Sequence, residues 1–129
     1  MIKVNDVMVG NLLKWKSYAN SGISKVVLIE NRPEHKTAFR TPLFQLESGA
    51  CDHECDGVLL DDEWFKKLAF CKNKANVPIT YIKIGMDDFR VTTHKEGFIF
   101  DGWGSFPFKY VYQLQNIYKS ITGVELTVA

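Results

Sequence analysis

The first sixty residues carry a series of short strand-forming stretches, and this feature most constrains the fold. The clearest stretch is 25–30 (KVVLIE), a β-branched run between a turn signal at 20–22 and the breaker NRPE at 31–34. The remaining stretches show no helical spacing and lie at 7–9, 12–15, 37–40 and 43–46. Closely spaced strands without helices predict a small curled sheet or an SH3-like barrel.

The chain changes character at residues 60–70 (LDDEWFKKLAF), which predict a short helix. The Asp61 carboxylate suits the N-cap, because it can accept from the free N–H groups of the first turn. Asp62 and Glu63 then lie at the positive end of the helix dipole. Leu60 and Phe65 are placed for a hydrophobic staple. The side chains expected to be buried are Trp64, Phe65 and Leu68.

The second half of the chain predicts a β-meander followed by a longer helix. Residues 71–78 look turn-like, and strands are expected at 80–84, 89–93 and 97–100, with turns at 86–88 and 95–97. A helix is expected from about 109 to 122, ending at Gly123 in the left-handed conformation. A short final strand is expected at 125–128. The apolar stripe of that helix comprises Val111, Leu114, Ile117, Tyr118 and Ile121.

These elements define an α+β fold in two modules. Residues 1–60 form a small β-barrel-like module with an SH3-like curled antiparallel sheet. Residues 61–129 form an α-β-β-β-α module that packs on the first, so that both make one cooperative unit. The chain has 129 residues, of which 46% are hydrophobic, and this is enough for a core without disulfide staples.

Charge and cysteine content narrow the function classes. Sixteen Lys and Arg against fifteen Asp and Glu give a net charge of +1, which disfavours a dedicated nucleic-acid binder. No apolar run reaches the roughly 20 residues of a membrane span, and the N-terminus lacks the apolar stretch of a secretory signal. Three cysteines, an odd number, fit reduced thiols. The expectation is a cytoplasmic protein.

Three segments of the chain stand out together: 9–12 (VGNL), 58–70 (VLLDDEWFKKLAF) and 109–126 (KYVYQLQNIYKSITGVEL). They resemble a family of small proteins of uncharacterised activity from Bacteroides-group gut bacteria and their phages. Family members open with an Ile-Gly-Asn strand, carry a Pro-Leu-Thr-Glu-Glu helix start and end with a His-Gln-Leu-Gln-Asn-Leu-Tyr helix that closes in Thr-Gly. Asp61 replaces the helix-start Thr and keeps the cap, whereas Tyr112 replaces the His. The resemblance implies an architecture and a gut-bacterial or phage setting, and no reaction.

The stretch CDHEC at 51–55 raises the question of a zinc site. In an extended strand Cys51, His53 and Cys55 share a face, and thiolate and imidazole are ligands that zinc prefers. Alternate residues lie about 7 Å apart, however, whereas ligands of one zinc lie roughly 3.5–4 Å apart. A bend and a fourth ligand, Cys71 or His35, would be required. The alternative comes from the family pattern, which implies that Cys55 is a small buried residue.

An aromatic loop at 102–108 (GWGSFPF) is the main candidate for ligand or partner binding. Trp103, Phe106 and Tyr110 are placed to stack on a flat ligand or to enter a partner's pocket. The alternative is a loop whose aromatic side chains close over the second helix.

The other polar residues show no catalytic arrangement. Capping accounts for Asp61 and Asp62, a turn accounts for Asp87 and Asp88, and Asp101 stands in no motif. No local signature pairs a cysteine with His35, His53 or His94. The polar edge of the last helix, formed by Gln113, Gln115 and Asn116, is expected to hydrogen-bond an open strand edge of the first module.

The sequence therefore predicts a non-enzymatic binding module for a protein or small ligand. It predicts no cofactor, and a homo-oligomer built from strand edges is a further option. The alternative is a zinc protein or small metal-dependent hydrolase that uses Cys51, His53 and Cys55. A third reading, by analogy with phages, is a virion component or a counter-defence protein that sequesters a nucleotide signal.

Overall fold

A computed structural model describes residues 7–16, 21–29, 44–48, 55–73, 79–101 and 106–128. The fold is α+β, with two antiparallel four-stranded sheets and two helices. In chain order the elements are β1 (Leu12–Lys16), β2 (Ser21–Ile29), β3 (Phe44–Leu46), β4 (Cys55–Gly57), α1 (Asp62–Lys67), β5 (Phe70–Asn73), β6 (Thr80–Lys83), β7 (Met86–His94), β8 (Gly97–Phe100) and α2 (Val111–Thr122).

The first sheet has the strand order β3-β2-β1-β4 and, within the described residues, is open rather than a closed barrel. Its faces follow the two-residue period of a strand. Leu13 and Val26 are completely buried, whereas Lys14 and Lys25, next to them in sequence, are exposed. The inner face supports a small core that comprises Val7, Leu13, Val26, Leu46, Cys55 and Tyr112.

The second sheet has the order β5-β6-β7-β8 and packs one face against both helices. Its core is aromatic: the Phe65 ring of α1 stacks on Tyr81 of β6, with centroids 3.9 Å apart, and meets Phe70 edge-on at 5.4 Å. Phe89 of β7 meets Tyr118 of α2 at 5.1 Å. As predicted, Trp64 and Phe65 of α1 and its C-cap residue Leu68 are buried.

The caps of both helices follow the sequence. Asp61 Oδ1 accepts a hydrogen bond from the Trp64 N–H at 2.9 Å, so the predicted N-cap is confirmed. Gly123 ends α2 with φ of 75°, the left-handed conformation predicted for it. The α2 stripe is buried at Val111, Leu114 and Tyr118, while Ile121 is exposed.

Three expectations about the second half are wrong. Residues 71–73, expected to be a turn, belong to β5. The helix α1 already ends at Lys67, and the left-handed conformation of Ala69 redirects the chain into this edge strand. Residues 86–88 belong to β7, because Gly85, with φ of 86°, takes the turn one step earlier. Residues 125–128 form no strand. The stretch expected at 37–40 lies outside the described residues, as does His35.

The helices are short. Neither helix in the described part of the chain is long and apolar enough to cross a membrane.

Candidate functional site

Phe106 is the aromatic side chain that the structure places most clearly on the surface. Its exposed fraction is 86%, although two residues later Phe108 is buried at 5%. A phenyl ring in water forgoes the roughly 2 kcal/mol that burial gives a side chain of this size. An exposed ring beside a buried one is therefore a feature that binding can use.

The segment that carries Phe106 is fixed to the core on its C-terminal side. Phe108 exchanges two backbone hydrogen bonds with Phe98, both 2.8 Å long. Leu60 N–H donates to the Lys109 carbonyl, and Val111 N–H donates to the Val58 carbonyl, also at 2.8 Å each. Phe106 thus projects from a support that is paired on two sides.

Tyr110 is half-buried and serves this support. Its ring covers Gly57 so closely that a Cβ there would lie 2.5 Å from the Tyr110 Cδ1. It stacks on Tyr112 with centroids 5.7 Å apart, and the Lys109 ammonium lies 5.3 Å from its centroid. Leu59 pairs with Tyr110 across a backbone bridge and is 57% exposed. Trp103, the third predicted binding residue, lies outside the described residues.

Cys55 has a structural position in β4. Its side chain is 6% exposed and belongs to the core of the first sheet, while Asp56 beside it faces solvent. The burial implied for Cys55 is confirmed. Cys51 and His53 lie outside the described residues, so the alternative of a zinc cluster stays untested. Cys71 is exposed on β5.

The remaining acidic candidates lie on three different parts of the fold. Asp61 caps α1, Asp87 and Asp88 are exposed in β7, and Asp101 is exposed in the turn after β8. In the described parts of the chain, no group of three or more His, Cys, Asp or Glu side chains is arranged to hold a metal ion.

Asp62 forms a small polar group that the sequence did not predict. The Tyr81 hydroxyl and the Lys72 ammonium both donate to its carboxylate, the latter at 3.1 Å. The bond from Tyr81, followed by that from Lys72, lowers the pKa of Asp62. Burial, followed by the bond to Asp62, raises the pKa of Tyr81. The group lines a hollow of about 260 Å³ between α1 and β5–β6.

A second polar feature is a buried amide clamp between α2 and the start of β1. Gln115 Oε1 accepts from the Leu12 N–H at 2.8 Å, and its Nε2 donates to the carbonyls of Gly10 and Leu126. Asn11 Nδ2 donates to Asn116 Oδ1 at 2.8 Å. The predicted contact of the polar helix edge with the first module is thus made by Gln115 and Asn116.

Gln113 has a different role from its two neighbours. Its Oε1 accepts from the N–H groups of Lys109 and Tyr110, both at 3.0 Å, and so caps the start of α2. The expectation that Gln113 contacts the strand edge is not met, because the side chain turns back on its own helix.

Comparison with protein-family models, with curated proteins and with solved structures gives no match for this chain.

Proposed function

We propose that the protein is a non-enzymatic binding module that anchors itself in a hydrophobic pocket of a partner protein through Phe106. The observation that carries this proposal is the 86% exposure of the Phe106 ring, two residues before Phe108, whose backbone exchanges two hydrogen bonds with Phe98. An anchor that is already positioned loses little conformational entropy on binding. Large aromatic side chains are typical of binding hot spots.

Two further side chains add an apolar group and a positive charge to the proposed binding surface around Phe106. Leu59, which forms an isolated backbone bridge with Tyr110, adds a second exposed apolar side chain, and Lys109 adds a cation. We therefore expect a partner pocket that accepts one aromatic ring, with an apolar margin and an acidic group nearby. Trp103 belongs to this proposal through its sequence position three residues before Phe106.

Several finer expectations stay part of the same proposal. They are an SH3-like curl of the first sheet, kinship with the Bacteroides-group family, and a cytoplasmic or virion location. The open sheet with Leu13 and Val26 on its inner face is compatible with such a curl.

The test variant is Phe106→Ser. The control variant is Ile84→Ser, which removes another exposed apolar side chain, 57% exposed, in the turn between β6 and β7. Affinity capture from a host lysate identifies proteins held by the parent and by Ile84→Ser. The proposal predicts that at least one of them, once purified, binds Phe106→Ser about 30-fold more weakly in isothermal titration. If every captured protein binds Phe106→Ser as tightly as the parent, the anchor is wrong.

A further inference from the structure

The hollow of about 260 Å³ between α1 and the edge strand β5 combines charged and apolar groups. The side chains that line it are Asp62, Phe65, Lys66, Phe70, Lys72 and Tyr81. Its volume lies just below the usual range of pockets for drug-sized ligands, so it suits a smaller molecule. None of these residues belongs to the binding surface around Phe106.

The secondary structure brings these side chains to one place. Asp62, Phe65 and Lys66 share one face of α1, because they are three and four residues apart. Lys72 pairs with Tyr81 across β5 and β6, so their side chains lie on the same face of the sheet. The Phe65 ring stacks on Tyr81, and this face of the sheet therefore meets this face of the helix.

Two ammonium groups and one carboxylate lie close together in the hollow. The Lys72 Nζ is 3.1 Å from Asp62 Oδ2, and the Tyr81 hydroxyl donates to Asp62 Oδ1. The pKa of Asp62 is lowered first by the bond from Tyr81, then by that from Lys72, and also by the charge of Lys66, which indicates that this second ammonium lies near the same carboxylate. Among the described residues Lys66 forms no close ion pair.

The charged groups keep hydrogen-bonding capacity for a ligand. A carboxylate can accept about four hydrogen bonds and an ammonium can donate about three. From described side chains, Asp62 accepts only the bonds of Tyr81 and Lys72, and Lys72 donates only the bond to Asp62. The side chains of Asp62 and Lys72 are 63% and 31% exposed, so a ligand can reach both without breaking the bond between them.

The mixture of charges disfavours a ligand with a single charge. An anion is attracted by Lys66 and Lys72 but repelled by Asp62, whereas an amine is attracted by Asp62 but repelled by both lysines. A free α-amino acid carries both charges on one carbon, with its ammonium nitrogen and a carboxylate oxygen about 3 Å apart. This separation is close to the 3.1 Å between Asp62 Oδ2 and Lys72 Nζ.

We propose that this hollow binds a free α-amino acid with an apolar side chain. Asp62 accepts hydrogen bonds from its ammonium group, and Lys66 and Lys72 donate to its carboxylate. The apolar side chain contacts Phe65 and Phe70, whose nearly buried rings line the hollow. The proposal does not depend on the protein-binding function, because the two surfaces share no residue.

The experiment measures binding of defined probes to the purified chain by isothermal titration at low salt. The amino acids are leucine and phenylalanine, and glycine presents the same charges without an apolar side chain. Isoamylamine and isocaproate each lack one charged group of leucine, and phenethylamine and hydrocinnamate each lack one of phenylalanine. We expect leucine, phenylalanine or both to bind about tenfold or more tightly than glycine and than the corresponding amine and acid.

Three results of this titration would overturn the proposal. The first is that neither leucine nor phenylalanine binds at millimolar concentration. The second is that glycine binds as tightly as both of them. The third is that an amine or acid binds as tightly as the amino acid from which it is derived, because the hollow then recognises a single charge.

Variants of α1 locate the site. Asp62→Asn and Lys66→Met each remove one charge at similar side-chain size, and each is expected to weaken amino acid binding by about tenfold. Asp62→Asn should also lose the preference for the amino acid over its acid, and Lys66→Met should reduce the preference over its amine. The matched controls Glu63→Gln and Lys67→Met remove the same charges at exposed positions outside the hollow and leave binding unchanged.

Circular dichroism of each variant verifies that the fold is kept. If folded Asp62→Asn retains the preference of the parent for the amino acid over its acid, or if Lys66→Met and Lys67→Met weaken binding equally, the amino acid is not held in this hollow. If Asp62→Asn does not fold, the comparison of the two exposed lysines decides the question alone.

Discussion

Gln115 uses its whole side-chain amide inside the protein. Its oxygen and nitrogen bond to three backbone groups, at Leu12, Gly10 and Leu126, and the residue is only 6% exposed. Sequence spacing placed Gln115 on a polar helix edge, because helical geometry is local. It could not identify Asn11 as a member of the same cluster, because that residue lies 105 positions from its partner Asn116.

The Asp62–Tyr81 pair was missed for the same reason. Capping chemistry accounts for an acidic residue at a helix start from neighbouring residues alone, and this prediction succeeded at Asp61. Asp62 received the same explanation, but its carboxylate instead meets a tyrosine on β6 and a lysine on β5. The exposed position of Phe106 was predictable because glycine and proline around an aromatic residue mark a loop in the sequence itself, whereas its role in binding stays a prediction.

Tyr81→Phe is expected to abolish the part of the loss of stability at alkaline pH that is due to ionisation of Tyr81. Because the pKa of Tyr81 is raised in the folded state, its contribution is fully present below the unfolded pKa of about 10 and is lost as the pH rises above that value. The free energy of unfolding of the parent should therefore fall relative to Tyr81→Phe above about pH 10. Urea unfolding of both proteins, at about pH 8 and then at intervals up to about pH 11, measures the difference. A constant difference over this range would contradict the role of Tyr81.

At the level of elements, local sequence patterns predicted most strands and helices but not the residues at which they begin and end. The turn expected at 86–88 lies instead at Gly85, since glycine reaches positive φ at little cost, and residues 86–88 begin β7. The polar stretch at 71–73 is a strand because it pairs with β6 along a sheet edge. Edge strands tolerate polar residues, which composition alone reads as a loop.

Ala69 after α1 provides a test of this level of the description. It adopts φ of 64°, a conformation that costs an L-residue about 1–2 kcal/mol. We expect Ala69→Gly to raise the free energy of unfolding by about 0.5–1 kcal/mol, after the greater entropy of glycine in the unfolded chain is subtracted.

Gly85→Ala is the matched reverse change. Gly85 also has a positive φ, and a Cβ there would meet no atom within 4 Å, so the backbone conformation alone determines its cost. We expect Gly85→Ala to lower the free energy of unfolding, measured by chemical denaturation, by about 1 kcal/mol. If Ala69→Gly destabilises the protein or Gly85→Ala stabilises it, the left-handed conformations are not those of the folded protein.

At the scale of the whole molecule, α2 joins two sheets that have separate cores. Val111 and Leu114 lie in the core of the second sheet, whereas Tyr112 lies in that of the first. Gln115 and Asn116 then fasten the helix to residues 10–12. We infer that the two sheets fold as one cooperative unit.

Two tryptophans report on the two sheets separately. Trp15 belongs to the first sheet and Trp64 to α1, which packs on the second. One variant, Trp64→Phe with Trp103→Phe, keeps only Trp15; the other, Trp15→Phe with Trp103→Phe, keeps only Trp64. In both backgrounds Gln115→Leu removes the clamp at similar volume, leaving buried backbone groups unpaired at about 1–3 kcal/mol each. Gln113→Leu, on the same helix, removes only the bonds at its N-terminus.

The decisive measurement is the urea midpoint reported by Trp15 and by Trp64 fluorescence. With Gln115 present, and also in Gln113→Leu, the two midpoints should coincide; in Gln115→Leu the Trp15 midpoint should fall below that of Trp64. Two different midpoints in the proteins that retain Gln115 would show that the sheets unfold independently and that α2 does not unite them.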